Sequence, residues 1–385
     1  MRLVSLIGWL EAVVIAQAAA LGLLLVRLGS GRRRLPPVPP IRDGAADTTV
    51  SVLVPTLNEG RRIGPCLAGL HRQGAPLTEV IVIDSGSTDD TRAQVEAFRA
   101  IDERFRLIDD RPLPDGWVGK VWALECGRRV AKGEWLLGID ADTEPGPGLV
   151  AGVVAAARAR ELDMVSFSPR FAGMTPAEQW VQPAILTTLV YRTGAAGAGR
   201  VRPARLLANG QCFLSRASVL AHGGGYTPAR ASFSDDVTLA RDYAARGWRV
   251  GFLDGSRLYL VRAYESLGQM WREWGRSVDL RDSTTPIWLA VDGVFLVLAQ
   301  ALPLPLLIAI ASGVVRGAPN VVDALVAINA AFVLIRVLIL GALAGSYERP
   351  GVAFWLSPLA DIAAVFRVLL STVRRPHAWR GRRYR

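Results

Sequence analysis

Two carboxylates set two residues apart, in Ile139-Asp140-Ala141-Asp142-Thr143, give the sharpest chemical signal in this chain. Carboxylates at i and i+2 across a turn can present oxygens to one hard cation. Magnesium or manganese favours such ligands and completes its shell with substrate phosphates. Surface turns often produce the same spacing, but here the apolar run Trp135–Ile139 leads into the pair, which reads as the end of a buried strand. A second acidic pair, Asp235-Asp236, follows Ser234 and opens a helical pattern that runs to Arg246. Acidic residues at a helix start are stabilised by the helix dipole, by ~0.3–1 kcal/mol. The chemical reading is a general base within this cluster.

Further polar clusters end other apolar runs. Pro55-Thr56-Leu57-Asn58-Glu59-Gly60 closes one, and Asp84-Ser85-Gly86-Ser87-Thr88-Asp89-Asp90-Thr91 closes another. Ser87 and Asp90 have the spacing of a capping box, which predicts a helix start there. Asp84 is not needed for that cap. A carboxylate at a strand end can instead accept hydrogen bonds from a nucleobase N–H or a ribose hydroxyl. Gln269-Met270-Trp271-Arg272-Glu273-Trp274-Gly275-Arg276 lies just before a long apolar run. It reads either as an interfacial aromatic belt with snorkelling Arg, or as a grip on a diphosphate and a sugar face.

The elements that must hold these groups are legible around them. Val50–Val54, Val80–Ile83 and Trp135–Ile139 read as strands that alternate with helices, one of them around Lys120–Lys132. That alternation predicts a mostly parallel sheet with ligands at the carboxyl ends of its strands. The glycine-rich run 194–199 reads as a loop, because no strand leads into it. Met174–Arg192 reads as an interface helix or a core helix.

Outside this middle the chain is apolar. Leu3–Val26 is long enough to span a bilayer and is followed by Arg27, Arg32, Arg33 and Arg34. A signal peptide would carry its positive charges in front of a shorter run, so an uncleaved anchor is expected. Pro286–Val315, Ala324–Ser346 and Val352–Leu370 are further apolar runs. The positive-inside rule puts Arg32–Arg34, and with them the middle of the chain, in the cytoplasm. Three later crossings would then export the Arg-rich tail 374–385, which the same rule keeps inside. Either Pro286–Val315, broken by Pro303 and Pro305, folds back, or Val352–Leu370, with Pro358, Asp361 and Arg367, lies in the interface.

Composition narrows the class. With 385 residues, 51% hydrophobic and 21% charged, the chain is no disordered protein. Cys66, Cys126 and Cys212 are too scattered for a disulfide framework. The 3 histidines leave little for a zinc site or a Ser/His/Asp triad. The net charge of +11 is nearly all Arg placed beside apolar runs, which points to a membrane surface and not to nucleic acid.

Taken in order, the clusters resemble a membrane-bound family 2 glycosyltransferase with a GT-A catalytic domain. The matching pieces are Pro55-Thr56-Leu57-Asn58-Glu59, Asp84 in Val-Ile-Asp-Ser-Gly-Ser-Thr-Asp, Gly119-Lys120, Asp140-Ala-Asp142 and Asp235-Asp236. The resemblance covers residues 50 to about 280. It implies an α/β GT-A nucleotide-diphospho-sugar transferase domain with a mostly parallel sheet, flanked by N- and C-terminal transmembrane helices. It implies donor contacts at Pro55, Thr56, Asn58, Glu59, Asp84, Ser85, Lys120, Asp140, Gln269, Arg272, Trp274 and Arg276, with Asp84 on the base. A divalent metal, Mn2+ or Mg2+, is implied at Asp140 and Asp142, and catalysis with inversion at Asp236 with Asp235. The expected layout is an anchor at 1–28, an Arg/Pro-rich linker at 29–49, the catalytic domain at 50–265, an interfacial segment at 266–285, a transmembrane region at 286–372 and a basic tail at 373–385.

Processive and lipid-acting members carry Gln/Arg-x-x-Arg-Trp before the membrane. Here Glu273 stands where the Trp should be, with Trp274 after it, so polymer synthesis is not expected. The stretch from Trp271 to Asp282, with Gly-Trp-Val-Gly-Lys, is similar to bacterial enzymes associated with carotenoid or hopanoid glycosylation. The expectation is transfer from a UDP- or GDP-sugar to a hydroxyl of a hydrophobic lipid at the cytoplasmic face of a bacterial inner membrane, with no nucleic-acid partner. The alternatives are a polyprenyl phosphate, ceramide-like or polysaccharide acceptor, or a non-catalytic membrane protein or transporter that keeps a nucleotide-sugar fold.

Overall fold

The computed structural model describes residues 2–29, 31, 34–42, 44, 47–198, 201–262, 264, 266–373, 378–379 and 382–383. Arg32, Arg33 and most of the basic tail, Arg374 included, lie outside these residues. The chain divides into two units. One holds residues 33–173, 196–263 and 375–385, the other 1–32, 174–195 and 264–374.

The first unit is built on a sheet in which β1 (Val50–Thr56), β2 (Leu77–Asp84), β3 (Phe105–Asp109), β4 (Trp135–Ile139), β6 (Met164–Ser168), β8 (Cys212–Arg216) and β9 (Val250–Asp254) take the order β3-β2-β1-β4-β8-β6-β9. β1 runs parallel to β2 and β4, β2 runs parallel to β3, and β6 runs parallel to β9. β8 runs antiparallel to both β4 and β6. The Val-, Ile- and Leu-rich strands are buried along nearly their whole length, as expected of a sheet covered on both faces. Val52, Val54, Val80, Val82, Leu137 and Ile139 form the centre of the core, together with Leu67 and Val153 from the helices Ile63–His71 and Leu149–Ala159. A smaller sheet of β5 (Thr143–Pro145), β10 (Tyr259–Arg262) and β7 (Arg170–Ala172) adjoins the turn after β4.

The helix Gly119–Val130 packs close to β1 and β2. A Cβ at Gly127 would lie 2.9 Å from Ile83 and 3.1 Å from Leu53, so only glycine lets the helix approach this closely. Pro55 sits inside a central strand yet breaks no ladder on the β4 side. The β1–β4 pairing ends at Leu53↔Gly138, and beyond it β1 pairs only with β2.

The second unit is helical. Gly8–Gly29 and Pro319–Ala344 are long and apolar enough to cross a membrane, while Pro286–Ala301 and Pro303–Ala311 form an apolar pair bent by 43° at a short break. A π-helical turn, Val297–Ala301, leads into that bend just before Pro303 and Pro305. Three polar pairs form within the unit: Arg27 with Asp292 at 2.7 Å, Gln17 with Asn329 at 2.8 Å, and Arg336 with Asp361 at 3.0 Å. The segment Val352–Leu370 is not one helix. It divides into Val352–Trp355, a 3-10 turn Ser357–Ala360 and Asp361–Val373.

Met174–Arg192 falls within the helical unit. Pro176–Thr193 is an 18-residue helix of the helical unit, opened by a capping box of Thr175 and Glu178, with Val181, Ala184, Ile185, Thr188 and Tyr191 buried. It therefore lies outside the sheet unit, although the expected catalytic domain of 50–265 had included it.

Candidate active site

The loops after β1 and β2 are laced together by backbone-to-side-chain bonds. Asn58 takes a positive φ of 54°, a conformation that Asn tolerates better than most residues. Its N–H donates to Ser87 Oγ at 2.9 Å, and its Oδ1 accepts from the Thr88 N–H at 2.9 Å. Ser87 is thereby taken, and the predicted capping box with Asp90 does not form. The helix begins later, at Thr91, and its N-cap residue Asp90 makes no side-chain cap bond. Asp89 does that work in part, accepting from the N–H of Thr91 at 3.1 Å and of Gly60 at 2.9 Å.

Asp84 ends β2 fully buried. Its carboxylate accepts from the Ser87 N–H at 3.1 Å and from Arg92 NH1 at 2.8 Å, and Arg92 also reaches Asp109 at 2.9 Å. Arg92 holds the Asp84 carboxylate in place. Sequence reading missed it, because a lone Arg in a first helical turn looks like any solvated charge. Ser85 donates from Oγ to Asp110 at 2.7 Å and from its N–H to the Thr56 carbonyl at 2.9 Å, and Thr56 Oγ1 donates to the Ile83 carbonyl at 3.2 Å. These residues hold the strand ends in register.

At the end of β4 the charges converge. Lys120, in the first turn of Gly119–Val130, places Nζ 2.6 Å from Asp140 Oδ1. Burial pulls the Lys120 ammonium toward deprotonation, but the carboxylates of Asp140, Asp235 and Asp236 outweigh it and hold the pKa above the usual lysine range. Asp142 is pushed up by burial and by the charge of Asp140. Arg62 stands 3.9 Å from Asp142 and 3.0 Å from Glu59. Burial raises Glu59 to about 8 against the pull of Arg62, with Asp142 and Asp140 adding to the rise. Carboxylates from two strand-end loops thus crowd one small region.

Asp236 faces the same place. Its Oδ2 accepts from the Gly210 N–H at 2.7 Å and its Oδ1 from the Val237 N–H at 2.8 Å. Burial raises its pKa, and Lys120 opposes that rise. Asp235 is raised to about 7 by burial, again opposed by Lys120 and reinforced by Asp236 and Asp140. The Asn209-Gly210-Gln211 turn joins the two acidic pairs, because the Gln211 carbonyl also accepts the Asp140 N–H at 3.3 Å. Asn209 Oδ1 closes the turn on the Gln211 N–H at 2.9 Å. A Cβ at Gly210 would lie 2.9 Å from Lys120 Nζ, so a larger residue here would push the lysine away from its present position. The Asn-Gly pair ahead of β8 was the available signal for this turn, and the sequence reading did not use it.

Gln269, Arg272, Trp274 and Arg276 lie on Leu267–Ser277, a helix of the helical unit. Trp274 is buried there and Arg272 exposed, and the side chain of Arg276 lies outside the described residues. On the same helix the Trp271 carbonyl accepts from Arg367 Nε at 2.8 Å.

A mostly parallel sheet with acidic pairs at its carboxyl edge defines a GT-A fold. A solved mannosyltransferase from Pyrobaculum calidifontis, PcManGT, in complex with GDP-Man and Mn2+, is similar in fold. It matches with a TM-score of 0.56 and 20% identity, over 94% of this chain and 99% of that one. Residues 51–223 match the family model Glycosyl transferase family 2. Among curated relatives, Glycosyltransferase GlyG of Streptococcus pneumoniae is 28% identical over 116 residues, 30% of this chain and 37% of that protein. A PGL/p-HBAD biosynthesis glycosyltransferase of Mycobacterium bovis is 35% identical over 92 residues, 24% of this chain and 34% of that protein. The chain spans roughly a third of the length of these relatives.

Proposed function

We propose that this chain transfers a sugar, with inversion, from a UDP- or GDP-sugar to a hydroxyl of a hydrophobic lipid, a carotenoid- or hopanoid-type terpenoid. The reaction is placed at the cytoplasmic face of a bacterial inner membrane. The observation that carries the reading is the charge cluster at the end of β4, where Lys120, Asp140, Asp235 and Asp236 meet around the Asn209-Gly210-Gln211 turn. The apolar helices support a membrane setting and a lipid acceptor.

Among the described residues no group of three or more His, Cys, Asp or Glu is set to hold a metal by protein ligands alone. The donor set still fits a divalent cation, because Asp140 and Asp142 offer hard oxygens that repel one another, and substrate phosphates can supply the rest. Asp140 and Asp142 would hold Mn2+ or Mg2+, which when bound offsets charge on the departing diphosphate. Asp84, fixed by Arg92 and Ser87, accepts hydrogen bonds from the base, with Thr56 and Ser85 fixing the loop around it. Lys120 brings a positive charge to the diphosphate end. As the acceptor oxygen attacks the anomeric carbon, the bond to the diphosphate breaks. The acceptor proton passes to Asp236, and Gly210 and Val237 hold that carboxylate in place.

The test is a transfer assay with purified protein in lipid, Mn2+ and labelled UDP- and GDP-sugars. A hydroxylated terpenoid, a polyprenyl phosphate and a ceramide are compared as acceptors. Labelled terpenoid glycoside as the main product supports the reading. Labelled polyprenyl phosphate or ceramide, with the terpenoid untouched, contradicts the acceptor assignment.

A further inference from the structure

We propose that the last apolar run, Val352–Val373, does not cross the bilayer. It lies along one leaflet with lipid as its partner, and so leaves the basic tail on the same side as the Arg-rich linker. The proposal rests on the membrane setting given above and not on the transfer chemistry.

Length is the first reason. The run breaks at Ser357-Pro358, and its longest piece, Asp361–Val373, has 13 residues. At ~1.5 Å per residue that piece reaches ~20 Å, against a hydrocarbon core of ~30 Å.

The second reason is how the run is anchored. Asp361 accepts from Arg336 Nε at 3.0 and 3.1 Å and from Gln300 Nε2 at 2.9 Å, and Ser357 Oγ accepts from Arg336 NH2 at 2.9 Å. Ala364, Val365 and Val368 are buried on the same side. Arg336 lies ~12 Å from the end of its helix at Ala344, by the helical rise. That 26-residue helix is ~39 Å long and, centred on the core, would overhang it by several ångström at each end. Arg336 and its partner Asp361 therefore sit ~5–10 Å below the boundary, the depth at which interfacial helices lie.

The other side of the run is apolar and bare. Leu356 is 49% exposed, Leu359 58%, Ile362 56% and Phe366 58%, at the three- and four-residue spacing of one helical face. The crossing helices of the same unit expose Ile15, Val26, Leu334 and Leu338. Acyl chains that cover those side chains are the partner at hand for these as well. The tail that follows carries Arg374, Arg375, Arg380, Arg382, Arg383 and Arg385, which suit anionic headgroups.

Sidedness closes the argument. Counted as one crossing, the bent pair Pro286–Ala301 and Pro303–Ala311 spans ~35 Å, which is enough for the core. Pro319–Ala344 then returns the chain to the side of the linker. The loop between them, 312–318, carries Arg316 alone, while the linker and tail on the other side hold the arginine clusters. A non-crossing last run satisfies the positive-inside rule at both ends of the chain.

The test uses full-length protein in vesicles. The background is Cys126→Ala, because Cys66 and Cys212 are buried and Cys126 is the more accessible thiol. Spin labels at Leu356→Cys, Leu359→Cys, Ile362→Cys and Phe366→Cys report depth through oxygen and nickel-complex accessibility. The expected depths agree to within about one helical turn, ~5 Å. A steady change of ~15 Å from 356 to 366, the rise of a crossing helix, overturns the proposal. In sealed vesicles an impermeant thiol reagent is expected to label Arg385→Cys and Asp47→Cys from the same side, and labelling from opposite sides also overturns it. Fractionation comes first: protein found wholly in the soluble fraction overturns the membrane setting itself, a failure distinct from either labelling result.

Discussion

At the scale of single residues, the account depends on carboxylates that differ in partner. Asp140 is bound by Lys120, and Asp142 is crowded by burial and by Asp140. Either change, Asp140→Asn or Asp142→Asn, removes a charged oxygen from the cation site. Nucleoside diphosphate binding in each variant is expected to lose its dependence on Mn2+, as read by titration with and without the metal. A variant that keeps its full metal dependence removes that residue from the cation site. Asp235 and Asp236 titrate as a pair whose carboxyls burial has raised, Asp235 to about 7. The sign follows directly. A raised carboxyl is protonated below its pKa, and a protonated base cannot accept the hydroxyl proton. Turnover at saturating donor is expected to level off at a pH above the ordinary carboxylate range and to fall as the pH drops below that point, as a rate-versus-pH profile would read. A flat profile down to pH 5 takes both residues out of proton transfer.

At the scale of elements, β1, β2 and β4 were legible because each is an apolar run closed by turn residues, and the groups at their ends were legible with them. Direction and register were not. That β8 runs antiparallel between β4 and β6 depends on long-range pairing that no local pattern encodes. The capping-box reading of Ser87 failed for a similar reason: a tertiary partner, Asn58, took the hydroxyl that the local pattern assigned to the helix start. The Asn209-Gly210-Gln211 turn matters because it carries Asp236 to Lys120 and Asp140. Gly210→Ala places a methyl 2.9 Å from Lys120 Nζ and is expected to lower turnover at least tenfold, about 1.4 kcal/mol in barrier. The same variant should unfold within a few degrees of the parent, since the core is untouched. Unchanged turnover means that the turn does not position the site.

For the whole molecule, composition and the apolar runs pointed to a membrane, and the positive-inside rule exposed a conflict that the proposed non-crossing last run, broken at Ser357-Pro358, removes. Removal of residues 1–40 is expected to leave the protein in the membrane fraction, because Pro319–Ala344 and the bent pair remain. Fully soluble, active protein after that truncation contradicts the membrane reading. The claim that unites the molecule is that the β4 edge binds a nucleotide sugar and that Asp236 takes the acceptor proton. Single-turnover transfer by Asp236→Asn, measured beside its donor affinity and beside Asp235→Asn, tests this most directly. The account predicts a rate loss of ~10²–10⁴ in Asp236→Asn with donor binding kept, and a milder loss in Asp235→Asn. Near-normal transfer in Asp236→Asn, with collapse in Asp235→Asn, would contradict it.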